Sequence, residues 1–124
     1  MSDYDYKIKV FLESQIQEMS EPNILEFGVR EGRSTKIFLD LCKKKGGKLF
    51  SVDVDDYSNL FDDTNWTFLK TRDDNFGFLK DMLPKKFDVI YLRKNKFDIR
   101  KLKNKGFFWS RLFFLLIFFF IFLN

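Results

Sequence analysis

Four acids stand where a small polar ligand would meet them. Glu26 precedes a glycine-spaced turn in the stretch N-I-L-E-F-G-V-R-E-G-R-S, residues 23–34. Asp53 ends the run L-F-S-V-D, and Asp73 and Asp74 follow W-T-F-L-K-T-R. A carboxylate at the end of a strand accepts N–H and O–H bonds, and it favours a ligand that carries positive charge. Glu26 suits an ammonium group, Asp53 suits ribose hydroxyls, and Asp73 or Asp74 suits an adenine amino group. Asp73 and Asp74 fit equally well as acids at the start of a helix. Between the acids, Gly28 and Gly32 bracket a turn whose backbone a ligand can approach closely. The ordinary dinucleotide fingerprint, G-x-G-x-x-G, fails here, because Arg30 and Arg33 occupy its second and third glycine positions.

These residues need a strand, a tight turn and a helix to hold them, and the sequence supplies that order more than once. Ile8, Phe11, Leu12, Ile16 and Met19 recur at helical spacing and predict a helix over residues 6–20, ended by Pro22. Residues 24–28 read as a first strand. Ser34 reads as the N-cap of a helix whose apolar stripe is Ile37, Phe38, Leu41 and Cys42. Lys43, Lys44 and Lys45 suit its C-terminal end, and Gly46-Gly47 stops it. Residues 48–54 and 66–71 read as strands two and three. Asn75 caps a short helix over residues 76–83, and F-D-V-I-Y-L, residues 87–92, reads as strand four. Strands alternating with helices predict a parallel sheet in a doubly wound α/β fold.

Composition excludes several kinds of chemistry. The chain of 124 residues holds one small domain, with no histidine and a single cysteine, Cys42. That leaves no histidine general base, no disulfide within the chain and no set of zinc ligands, and it suits a reducing cytoplasm. Cys42 lies on the inner face of its helix, which gives it a packing role. The formal charge of +4 hides two unlike parts: residues 1–92 carry −3 and residues 93–124 carry +7. The basic balance belongs to the tail and does not describe a nucleic-acid surface.

Acids at three strand ends, one beside a glycine turn, fit a nucleoside that also bears positive charge, and S-adenosylmethionine is such a ligand. Residues 24–92 resemble the front half of a class I S-adenosylmethionine-dependent methyltransferase. They are most similar to the small-molecule methyltransferases whose first motif is E-x-G-V-x-x-G-x-S-T, here residues 26–35. Residues 49–55, 72–76 and 87–92 resemble the second-strand motif, the adenine loop and the fourth strand of that family. The resemblance implies a Rossmann-like sheet. It gives Glu26 the methionine ammonium and runs the turn from Gly28 through Arg30 and Gly32 to Ser34 beneath the methionine part. It gives Asp53 the ribose, and Asp73 or Asp74 the adenine. It leaves both the catalytic residues and the small-molecule acceptor unassigned, because methyl transfer from a sulfonium asks chiefly for alignment.

The family pattern places an acid after the fourth strand, where this chain has Arg93. From there the sequence turns to Lys and Asn, then to an apolar run over residues 112–123. Nine of the 18 phenylalanines fall in the last 32 residues. The expectation is a partial cofactor-binding domain over residues 1–92, with about four strands, and a basic then apolar tail over residues 93–124. The switch in composition implies a reading frame truncated or shifted near residue 93, and an inactive product. The tail has three readings: an aggregation-prone segment, a C-terminal anchor through residues 107–123 on an otherwise cytoplasmic protein, or a strand that replaces the fifth. An exposed edge at the fourth strand would invite pairing with a second copy.

Overall fold

A computed structural model describes residues 3–92 and 99–114. The elements run α1 (Asp3–Ile16), β1 (Asn23–Phe27), α2 (Arg33–Lys45), β2 (Lys48–Asp53), β3 (Trp66–Lys70), α3 (Phe76–Met82), β4 (Lys86–Leu92), α4 (Ile99–Asn104) and β5 (Phe108–Phe114). The five strands form one sheet in the order β3-β2-β1-β4-β5, with every neighbouring pair parallel.

Strand alternation divides the core into two layers. Ile24, Leu49, Val89 and Tyr91 face one side, where α1 and α2 cover them with Leu12, Ile16, Ile37, Phe38, Leu41 and Cys42. Phe38 meets Tyr91 edge to face at 5.3 Å. Leu25, Phe27, Val52, Leu69, Ile90 and Leu92 face the other side. There Leu79 and Leu83 of the α3 segment, with Leu102 of α4 and Phe107, cover them. Both faces of β1 and β4 are thus covered, which is why these strands read as mostly apolar, with Glu26 and Asp88 as the acids within them.

The sequence-based boundaries shift by one to four residues at several ends, and two of the shifts have a visible cause. The first helix ends at Ile16 rather than Ser20, because the chain beyond it makes one tight turn, with the Met19 N–H on the Ile16 carbonyl at 2.9 Å, and then bonds to the end of α2. The Lys45 ammonium donates to the Gln17 carbonyl, and the Glu21 N–H donates to the Lys45 carbonyl at 3.1 Å. Glu21 then adopts a left-handed φ of 53° and turns the chain into β1. The N-cap of α2 is Gly32, φ 83°, and not Ser34, whose hydroxyl is engaged elsewhere.

The sheet also continues past residue 92. Residues 99–104 form a short helix that buries Leu102, and β5 runs beside β4 from Lys86↔Phe108 to Leu92↔Phe114. A fifth strand therefore stands where four were expected. Among the described residues the sheet edges are β3 and β5, and β4 is interior. A short crossover suffices because Leu102 and Phe107 anchor it directly into the α3 face. Arg93 and residues 115–124, most of the apolar run, lie outside the described residues. Among the described residues no helix is long and apolar enough to cross a membrane.

Candidate cofactor cleft

The turn after β1 is built from two glycines and a strained arginine. Gly28 takes φ 95°, and its N–H donates to the Val52 carbonyl at 2.8 Å. Arg30 sits at φ 52° with its side chain exposed. Gly32 closes the turn with its N–H on the Val29 carbonyl at 3.0 Å, and its own carbonyl accepts from Lys36 N–H at 2.9 Å. A Cβ on Gly32 would lie 3.2 Å from both Leu60 and Phe61, so that long loop packs tightly over the turn.

Asp53 locks this turn to β2. One carboxylate oxygen accepts the Val29 N–H at 2.8 Å, and the other accepts the Asp55 N–H at 3.1 Å. Its main-chain carbonyl accepts the Thr71 N–H at 2.9 Å, which ties in the end of β3. A carboxylate offers about four acceptor positions, so two backbone bonds leave room for a ligand's hydroxyls.

These strand ends enclose a cleft of about 220 Å³ lined by Phe27, Gly28, Val52, Asp53, Val54, Thr71, Arg72 and Asp73. It opens at the carboxyl ends of β1, β2 and β3, the side on which open α/β sheets hold their ligands. Of the expected site residues, Gly28, Asp53 and Asp73 share this cleft. Asp74 does not line it, and its carboxylate instead takes the Arg72 guanidinium at 3.0 and 3.1 Å. That pairing holds Asp74 below the usual carboxylate range and raises Arg72 above its own. It also turns Arg72, the one cation among the described residues of the cleft wall, toward an acid. Asn75 caps α3, as its type suggested, with its side chain accepting the Phe78 N–H.

Glu26 and Ser34 lie beneath the turn instead. Glu26 is fully buried, and neither it nor Ser34, Arg30 or Gly32 lines the cleft. One Glu26 oxygen accepts the Thr35 hydroxyl at 2.6 Å and the Ser51 hydroxyl at 2.9 Å. The other accepts the Ser34 hydroxyl at 2.5 Å. Strand alternation explains the placement: Phe27 faces the α3 layer, so Glu26 faces the opposite side, under the first turn of α2. Ser51 in turn accepts the Trp66 indole N–H at 2.9 Å.

Sequence reasoning missed Thr71 and Arg72 of the cleft wall, and Ser51 and Trp66 behind it. Ser51 did carry a signal, since a serine inside an apolar parallel strand must find a partner when buried. Cys42 is fully buried, and desolvation, with the nearby Asp63 charge, pushes its thiol up to about 12. It is a packing residue and no nucleophile.

A parallel sheet in this order, with helices on both faces and a cleft at the strand carboxyl ends, defines a Rossmann-like doubly wound α/β fold. Among solved structures, a Plasmodium falciparum protein described as a ribosomal RNA methyltransferase is similar to it, with a TM-score of 0.55 and 22% identity. The match covers 79% of this chain and 58% of that one, so this chain spans somewhat over half the length of that protein. At this identity the likeness is one of fold. No protein-family model matches the chain, and comparison with curated proteins gives no match.

Proposed function

We propose that the chain is the S-adenosylmethionine-binding part of a methyltransferase. The observation that carries this reading is Asp53, a half-buried carboxylate fixed by two backbone N–H bonds at the wall of the cleft. Its free acceptor positions suit the two ribose hydroxyls. Gly28 lets the ligand approach the turn without a side chain in the way. Asp73 faces the same cleft and accepts from an adenine amino group, while Val52, Val54 and Phe27 give the purine an apolar wall. The cleft is smaller than the roughly 300–1,000 Å³ of ordinary ligand pockets, which suits the nucleoside part of the cofactor.

The bound cofactor supplies the electrophilic methyl group, and the chain supplies binding and orientation. No residue of the cleft need act as a base for the cofactor to be held. The fold likeness to a methyltransferase supports the reaction class. The first motif favours a small-molecule acceptor, whereas the structural neighbour is described by its action on ribosomal RNA. On this reading the chain by itself binds the cofactor and transfers no methyl group. In the sequence, Arg93 follows β4 where the family pattern has an acid.

Isothermal titration of S-adenosylmethionine into the full chain tests the proposal. Saturable binding that falls at least about tenfold in Asp53→Ala supports it, in line with the loss of charge-assisted hydrogen bonds. A folded wild-type chain that shows no saturable binding overturns it.

A further inference from the structure

We propose that Glu26 is a positioning residue that clamps the cofactor turn from behind, and that no part of the ligand touches it. The proposal rests on the cleft reading above and changes the role that the motif resemblance assigned to this acid. Three observations carry it. First, Glu26 is fully buried and absent from the cleft wall. Second, both of its oxygens are engaged by hydroxyls from two different elements, Ser34 and Thr35 at the start of α2 and Ser51 in the middle of β2. The carboxylate therefore ties the two ends of the turn to each other and to the neighbouring strand. Third, the tie extends outward. Ser51 accepts from Trp66 of β3, and Trp66 meets Phe61 edge to face at 5.4 Å. Phe61 packs against Gly32. The turn that fronts the cleft is thus held by one connected set of groups.

An acid that met the ammonium would sense the methionine part of the ligand. A clamp senses only whether the turn is in place. Two ligands separate these roles: S-adenosylmethionine, which carries the ammonium, and methylthioadenosine, which lacks it. An amide at position 26 can still accept from two hydroxyls and bond the third, whereas alanine removes every acceptor. A tryptophan-to-phenylalanine change at Trp109 leaves Trp66 as the sole indole, so that its emission reports the outer end of the clamp.

The experiment measures the affinity of both ligands for the wild-type chain, Glu26→Gln, Glu26→Ala and Ser51→Ala, with Trp66 emission recorded in the Trp109→Phe background. The clamp predicts that Glu26→Gln keeps both affinities within about threefold of wild type. It predicts that Glu26→Ala weakens both ligands in parallel by about tenfold and shifts Trp66 emission to the red before any ligand is added. If Glu26→Ala does not fold, Ser51→Ala carries the test, with the same parallel loss and the same shift at smaller size. A loss confined to S-adenosylmethionine in Glu26→Gln overturns the proposal, since it would place Glu26 on the ammonium. Unchanged affinities and unchanged emission in Glu26→Ala overturn it as well. A wild-type chain that binds neither ligand refutes the cofactor reading, and the clamp is then decided by Trp66 emission alone.

Discussion

Glu26 and Asp53 sit at or near the carboxyl ends of adjacent strands, β1 and β2, one residue type apart and in the same sheet. Their surroundings are opposite. Glu26 is sealed under α2 and saturated by hydroxyls, whereas Asp53 is half-buried, holds only two backbone N–H groups and faces the cleft. Position along the strand makes the difference, since both acids face the same side of the sheet: Glu26 lies opposite Ser51, and Asp53 stands two residues beyond Ser51. Under the first turn of α2 the Glu26 carboxylate must be satisfied by protein groups, whereas Asp53 lies past the end of β1, where the strand ends open into the cleft.

The sharpest way to break this comparison is to remove each acid in turn and measure unfolding. Glu26→Ala strands three buried hydroxyls and opens a void, and it is expected to cost about 2–4 kcal/mol of stability in chemical denaturation. Asp53→Ala loses two partly exposed backbone contacts and is expected to cost about 1 kcal/mol, with its main effect on ligand affinity. Equal losses in the two variants would erase the distinction.

Gly32→Ala falls between them. Its φ of 83° and the 3.2 Å approach to Leu60 and Phe61 predict a loss of about 1–2 kcal/mol, read as a lower denaturation midpoint. Cys42 tests the dryness of the layer that shelters Glu26. Its thiol rises from an ordinary 9.0 to about 12, so the folded form stays protonated while the unfolded form ionises. Its contribution is intact below pH 9 and is lost as pH climbs from 9 toward 12. A maleimide at pH 8 should label Cys42 only after denaturant is added; rapid labelling of the native chain would contradict a dry layer. The smallest effect belongs to Arg30→Gly, which relieves a φ of 52° on an exposed side chain. Stability should change by no more than about 0.5 kcal/mol, toward stabilisation, and ligand affinity should stay within about twofold.

Much of the frame was legible in the sequence because it depends on local rules. The β1–α2 corner, the place of Asp53 at the end of β2, the Gly46 stop and the Asn75 cap all follow from residue type and spacing. Which way Glu26 points did not, since a motif gives spacing along the chain and not the neighbour across the sheet. Ser51 and Trp66 come from other strands, so the link from Glu26 to Ser51 and from Ser51 to Trp66 is a product of register. Strand β5 was hidden for a different reason. F-W-S-R-L-F-F begins inside a stretch whose composition departs abruptly from the rest, and it leads into an apolar run without alternation. Among the described side chains before it, Leu102 of α4 and Phe107 after α4 point inward. Among the described residues the edge strands are β3 and β5, so the edge expected at the fourth strand is covered by β5.

A crystal structure of the full chain with S-adenosylhomocysteine tests the central claim most directly, because it shows which acid meets the ligand. The account predicts ribose hydroxyls within hydrogen-bond distance of the Asp53 carboxylate, and Glu26 still bound to Ser34, Thr35 and Ser51 with no ligand atom in reach. A ligand ammonium seated on Glu26, or a ligand bound away from Asp53, would contradict it.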